Sequence, residues 1–159
     1  MIPNLIIDIP DRNTLDIQHI IFDYNGTIAL DGKVINGVVD KMNEFSHLVT
    51  FHVVTADTYG TAEHELQGAN CQVVNLATSL MYKTKTDYLA YLGKDHTLSV
   101  GNGFNDSDLL KQSLLGIALI QDEGLCMAAL MSADIVCKSV MDVFAYLEKP
   151  NRLKATLRV

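Results

Sequence analysis

Six short apolar runs, each followed by a helical pattern, constrain this chain more than any other feature. The strands are His19–Asp23, Phe51–Thr55, Cys71–Leu76, Thr97–Val100, Gly116–Ile120 and Asp134–Cys137. The helices that follow them span 36–46, 61–67, 84–92, 106–113, 125–131 and 140–147, with apolar residues at helical spacing. Alternating strands and helices predict crossover connections between parallel strands, so the fold class is α/β, a three-layer sandwich on a mainly parallel sheet. Before the first of these strands, Leu5–Ile9 and Leu15–Ile17 flank Pro10-Asp11-Arg12-Asn13, which predicts a leading β-hairpin within residues 1–18. Residues 19–148 form the expected core and 149–159 a C-terminal tail, together one domain of 159 residues with no repeat or long linker.

Charge and cysteine content exclude several classes. A net charge of −7 argues against tracking a nucleic-acid backbone, which needs a basic face. The basic residues Lys149, Arg152, Lys154 and Arg158 read as a solvated terminus. Cys71, Cys126 and Cys137 are widely spaced and odd in number, as expected of reduced thiols in a cytoplasmic protein rather than a disulfide framework or a zinc site. The segment MIPNLIIDIPDR has no basic region before its apolar run, and no stretch is long enough to span a bilayer, so no membrane role is expected.

Open parallel sheets bind ligands beyond the carboxyl ends of their strands, so the residues just after each strand carry the functional reading. Asp23-Tyr24-Asn25-Gly26-Thr27 places an acid at a strand end and a glycine where the backbone must turn. A plain turn around Asn25-Gly26 explains the same residues, and glycosylation of Asn25 would need a secreted chain. Thr55-Ala56-Asp57 offers a hydroxyl and an acid at the same sheet edge, with Asp57 readable as a helix cap. Lys83 or Lys85, before the helix containing Tyr88 and Leu89, could screen phosphate charge. Gly101-Asn102-Gly103-Phe104-Asn105-Asp106 is a turn of hard oxygen donors suited to Mg²⁺, or one in which Asp106 caps a helix.

In this order along the chain, the four segments resemble the four motifs of the haloacid dehalogenase (HAD) superfamily. The resemblance extends to the phosphorylation domain of P-type ATPases and their soluble relatives, over roughly Ile20 to Cys137. That domain has Asp-Lys-Thr-Gly-Thr where this chain has Asp23-Tyr24-Asn25-Gly26-Thr27. Its Thr-Gly-Asp followed by Thr-Ala is matched by Thr55-Ala56-Asp57 and Thr61-Ala62, and its Gly-Asp-Gly-x-Asn-Asp turn by Gly101 to Asp106. The lysine spacing favours Lys85, with Lys83 as the alternative.

The resemblance implies a HAD-like Rossmannoid fold and an Asp23 nucleophile that forms an aspartyl-phosphate. It implies catalytic roles for Asp23, Asn25, Thr55 and Lys85, and phosphate binding by Gly26, Thr55, Ala56 and Lys85. It implies Mg²⁺ as cofactor, near Asp23, Asn25, Asn102 and Asp106. Two departures bear on turnover. Asn25 stands where the family's phosphatases carry a general acid-base, and that assistance is typically worth about 10²–10⁴ in rate. Asn102 replaces an acid of the metal site, so weaker Mg²⁺ binding follows; Asp57 is the one nearby acid that could substitute as proton carrier. Only about thirty residues separate Asp23 from Thr55, and as many separate Thr55 from Lys85, so neither gap houses a cap domain. The expected activity is a slow Mg²⁺-dependent phosphatase or phosphotransferase acting on a phosphorylated small molecule or macromolecule. An open site favours a partner or a homo-oligomer as its cover. The alternative is a non-catalytic phosphate-sensing or protein-interaction domain.

Overall fold

The computed structural model describes residues 2–159. Strands β1 (Leu5–Asp8) and β2 (Thr14–Ile17) form the leading antiparallel hairpin, with Leu5 opposite Ile17. Strand β3 (His19–Asp23) enters the main sheet, followed by the small strands β4 (Ala29–Leu30) and β5 (Lys33–Val34) and helix α1 (Val38–Phe45). The chain continues through β6 (Thr50–Thr55), α2 (Thr61–Glu65), β7 (Gln72–Asn75), α3 (Lys85–Leu92), β8 (Thr97–Gly101) and α4 (Ser107–Gln112). It ends with β9 (Leu115–Leu119), α5 (Met127–Ser132), β10 (Ile135–Cys137), α6 (Val140–Glu148) and α7 (Pro150–Leu157).

The main sheet has six strands in the order β10-β9-β8-β3-β6-β7, and every neighbouring pair is parallel. From β3 the chain builds outward through β6 and β7, then returns to the other side of β3 and builds outward again through β8, β9 and β10. The order therefore reverses at the β3–β8 junction, where diverging loops leave a crevice beyond the strand ends. Asp23 and the Gly101–Asp106 turn meet there.

Side-chain alternation along β3 explains the three layers. Ile20 and Phe22 belong to the larger cluster, with α1 (Met42), α6 (Phe144) and the hairpin (Ile7, Leu15). Phe22, Phe51 and Phe144 pack with ring centroids 5.6–6.1 Å apart. Ile21 faces the opposite layer, where it packs with Val54, Tyr88 of α3 and Leu109 of α4. Asp23 shares the parity of Ile21 and so points toward the α3 side.

Two elements depart from the sequence reading. The β4–β5 hairpin was not expected because its strands are two residues long. The segment 149–159, read as a tail, contains α7, which begins with Pro150 in its first turn and buries Leu153. The three cysteines are free, as expected; Cys137 is buried and the other two partly so.

The α3 layer contains a buried polar chain. A neutral His52 satisfies both of its neighbours through one donor and one acceptor nitrogen: Nδ1 shares a hydrogen bond with Tyr88 Oη at 2.7 Å, and Nε2 one with His19 Nδ1 at 3.0 Å. Burial pushes the His52 pKa down from 6.5 to about 3, and the His19 ring adds to the effect. Because the folded state binds its proton more weakly, the unfolded state takes up protons first as pH falls through 6.5, and stability is lost from there toward pH 3. At 1.36 kcal/mol per unit, His52 alone should cost about 2 kcal/mol at pH 5 relative to pH 7.5. Urea unfolding at the two pH values checks this. His52→Asn should flatten the difference; an equally steep loss in the variant would assign it elsewhere.

Candidate active site

The site begins with the loop after β3. The amides of Thr27, Ile28 and Ala29 all donate to the Tyr24 carbonyl at 3.0–3.2 Å, which folds residues 24–29 into a tight turn. Gly26 has φ +82° there, and a β-carbon on it would lie 2.3 Å from Asn102 Nδ2, so the position requires glycine on both counts. Tyr24 Oη donates to the Gly32 carbonyl at 2.7 Å and ties this loop to the β4–β5 hairpin. Thr27 is fully buried, and its hydroxyl donates to Asp23 Oδ2 at 3.1 Å.

The turn after β8 is organised around Asp106. Its Oδ2 accepts the amides of Asn102 (3.0 Å) and Gly103 (2.9 Å), and Gly101 lacks the β-carbon that would collide with its carboxylate. The Asn102 side chain donates from Nδ2 to the Gly124 carbonyl at 3.1 Å, which directs Oδ1 toward Thr27, 3.4 Å away.

Lys85 joins the two turns. Thr84 caps α3 through a reciprocal pair with Asp87, placing Lys85 at the first helical position and aiming it across the strand ends. Its ammonium donates to Asp23 Oδ1 at 2.7 Å and to Asp106 Oδ1 at 2.6 Å, and it is only 7% exposed. Lys83 is exposed, and its backbone amide is spent on Asp87, so Lys85 is the lysine of this site. Burial would lower the Lys85 pKa, but Asp23 and Asp106 together outweigh it and hold the ammonium above its ordinary value. Burial pushes the Asp23 carboxyl up to about 6; Lys85 opposes the shift and Asp106 adds to it. The two directions are compatible because one ammonium serves two carboxylates, leaving the buried trio with a net negative charge.

Thr55 ends β6 beside Asp23 and is buried; its Oγ1 accepts the Asp57 amide at 3.2 Å. Asp57 is a loop and helix cap, with Oδ1 accepting the Tyr59 amide and Oδ2 those of Thr61 and Ala62. These bonds, that of Tyr59 foremost, lower its pKa, so it is a poor substitute proton donor.

Asp23, Asn25, Thr55, Ala56, Lys85 and Asn102 line one open cleft of about 340 Å³. Asn25 is exposed at its lip. Two expected site residues lie outside the lining of this cleft. Gly26 does not line this cleft, and its amide donates to the Ala29 carbonyl at 2.8 Å rather than standing free for phosphate. Asp106, expected as a metal ligand, is fully buried; its Oδ1 accepts from Lys85 and its Oδ2 from the two turn amides, so it also anchors Lys85 and the turn.

Among the described residues, no group of three or more His, Cys, Asp or Glu converges on a metal position. The oxygen donors at these two turns are the Asp23 and Asp106 carboxylates, the Asn25 carbonyl and Asn102 Oδ1, the last turned toward Thr27 by the bond to Gly124. Few carboxylates with neutral oxygens fit Mg²⁺, which keeps several waters and completes its shell with substrate phosphate.

Sequence reasoning assigned no role to Thr27 or Gln121. The Gln121 amide donates to the carbonyls of Gly26 (3.2 Å) and Thr27 (2.9 Å), while its Oε1 accepts the Val140 amide at 2.8 Å. It thus fastens the Asp23 loop to the start of α6. Thr27 lay inside a motif that was already visible; a lone glutamine in a loop carries no pattern.

No protein-family model matches the chain. An uncharacterized protein of Methanocaldococcus jannaschii is 48% identical over 61 residues, covering 38% of this chain and 66% of that protein. A probable cadmium-transporting ATPase of Staphylococcus aureus is 31% identical over 99 residues, 59% of this chain but 13% of the ATPase. The chain therefore spans only part of either relative.

Solved structures align over nearly the whole length. A 3-deoxy-D-manno-octulosonate 8-phosphate phosphatase from Moraxella catarrhalis, in complex with magnesium ion, phosphate ion and KDO, has TM-score 0.66 at 13% identity, over 89% of this chain and 94% of that one. The cobalt-bound deoxy-D-mannose-octulosonate 8-phosphate phosphatase of Haemophilus influenzae gives 0.65 at 10% identity, over 90% and 94%. A phosphatase of the HAD enzyme superfamily from Bacteroides thetaiotaomicron gives 0.56 at 12%, over 89% and 96%. No helix of the described residues is long and apolar enough to cross a membrane. The parallel six-stranded sheet, its chain reversal at Asp23 and these alignments give the chain the fold of the haloacid dehalogenase superfamily, without a cap domain among the described residues.

Proposed function

We propose that this chain is a Mg²⁺-dependent phosphoryl-transfer hydrolase that forms an aspartyl-phosphate on Asp23 and releases it slowly. The observation that carries the reading is the placement of Lys85 between Asp23 and Asp106, at the topological switch point, beside an open cleft. An ammonium there both orients the nucleophile and offsets the charge of an incoming phosphate.

In the first step an Asp23 oxygen bonds to phosphorus and the bond to the leaving oxygen breaks. Thr55 and Lys85, which line the cleft with Asp23, would bind the equatorial oxygens. Asp23, the Asn25 carbonyl, Asn102 and Asp106 would hold Mg²⁺, which when bound would supply charge neutralisation for the phosphoryl group. Asn25 cannot protonate the leaving oxygen, which takes its proton from water. In the second step water attacks phosphorus, the Asp23–phosphorus bond breaks and phosphate departs; Asn25 cannot deprotonate that water either, so this step is slow. The fold neighbours that are phosphatases, one holding magnesium and phosphate and one cobalt, support the reading, as does the partial match to a transporting ATPase.

Incubation with Mg²⁺ and acetyl phosphate, an acid quench and mass spectrometry test it. The expected result is one added phosphate on Asp23 that is absent from Asp23→Ala. The asparagines at 25 and 102, which replace two acids, favour a second reading as a phosphate-sensing domain without turnover. Mg²⁺ binding with neither adduct nor released phosphate would select that reading.

A further inference from the structure

A cleft of about 730 Å³ lies beside the phosphate cleft. Its walls are the β4–β5 hairpin, the loop after β9 and the loop after β10. Gly26 lines this cleft and Asn25 lines the other, so the two meet across the Asn25–Gly26 peptide. The Gln121 side chain also lines it while holding the carbonyls of Gly26 and Thr27. In the phosphoryl-transfer reading, a phosphate over Asp23 with its leaving oxygen toward Asn25 would direct the organic part of the substrate into this space.

The lining limits what that part can be. Leu30, Val34 and Ile120 give an apolar wall. Lys33 and Lys138 enter the same cleft and form no ion pair among the described residues, in a chain with 12 basic and 19 acidic side chains. Free ammonium groups at the rim of an apolar recess suit a carboxylate on a short carbon skeleton. Asp122 and Glu123 stand at the same cleft and disfavour a polyanion such as a nucleotide.

Resting on the phosphoryl-transfer reading above, we infer that this cleft is the leaving-group site, selecting compact phosphomonoesters whose organic part carries one carboxylate. The test compares 3-phosphoglycerate with glycerol 3-phosphate, which share a carbon skeleton and differ in the carboxylate. With Mg²⁺, 3-phosphoglycerate should label Asp23 about tenfold faster or more, as one charge-assisted contact predicts. The Lys33→Gln/Lys138→Gln double variant should lose that preference while acetyl phosphate labels it as before. Equal labelling by the two esters, or a preference that survives in the double variant, would overturn the inference and leave the phosphoryl-transfer reading standing. Calorimetric titration of the same esters reads the cleft without turnover. Should acetyl phosphate fail to label Asp23, that reading falls, and tighter 3-phosphoglycerate binding, lost in the double variant, alone decides for the cleft; equal binding decides against it.

Discussion

Asn25→Asp is expected to raise the release of phosphate from Asp23 by about 10²–10⁴, the usual contribution of a general acid-base in reach of the reacting oxygen. The position can accept the change: Asn25 is exposed at the lip of the phosphate cleft, and no partner fixes its side chain. A carboxylate there can protonate the leaving oxygen and then deprotonate the attacking water. The acid-quenched adduct should therefore decrease as free phosphate rises, a signature that separates faster second-step chemistry from tighter substrate binding. Rapid-quench measurement of adduct and phosphate together checks it. If the adduct forms but decays at the unchanged rate, the slow step lies elsewhere, with the metal site weakened by Asn102 as the next suspect.

Lys85→Met should abolish labelling of Asp23 and also destabilise the fold. Removing one partner of a buried ionic group leaves the others uncompensated, which typically costs about 3–5 kcal/mol. Here the two that remain are like charges, Asp23 and a fully buried Asp106, formerly bridged at 2.7 and 2.6 Å. The pH dependence distinguishes this from simple loss of packing. Without the ammonium, Asp23 favours the protonated form in the folded state even more than it already does at about 6. For groups with raised folded-state pKa values the penalty is greatest above those values and disappears below the ordinary carboxyl range, where both states are protonated. The variant should thus be least stable, relative to the parent, above pH 6 and approach it toward pH 4, as read by urea midpoints. A deficit independent of pH would assign the loss to the methylene chain alone.

Much of the architecture was legible along the chain because it depends on local periodicity. Strand His19–Asp23 is found with the expected bounds, since an uninterrupted apolar run ending in Asp-Tyr-Asn-Gly has few other solutions. The helices differ from expectation by a few residues at their ends. Elements whose burial comes from distant partners were not legible. The α7 helix presents Leu153 and Leu157 among polar residues, and only its packing against the hairpin and α6 gives it an apolar side. Strands β4 and β5 are too short to show alternation and depend on the Tyr24 bond to Gly32.

The candidate site divides along the same line. Sequence alone determined which residue types stand at the strand ends, hence an acid at 23, a hydroxyl at 55, a lysine before α3 and amides at 25 and 102 where the resembled motifs carry acids. Those are facts of composition and order, and they bound the chemistry before any coordinates. Which atoms face each other was decided by the tertiary structure. The capped start of α3 selects Lys85 over Lys83, because helical phase and not spacing along the chain sets the direction of the side chain. Burial places Asp106 where it anchors that lysine, its oxygens accepting from an ammonium and two amides. Side chains 62 and 75 residues from the Asp23 loop meet it only because parallel strands bring their carboxyl ends to one edge.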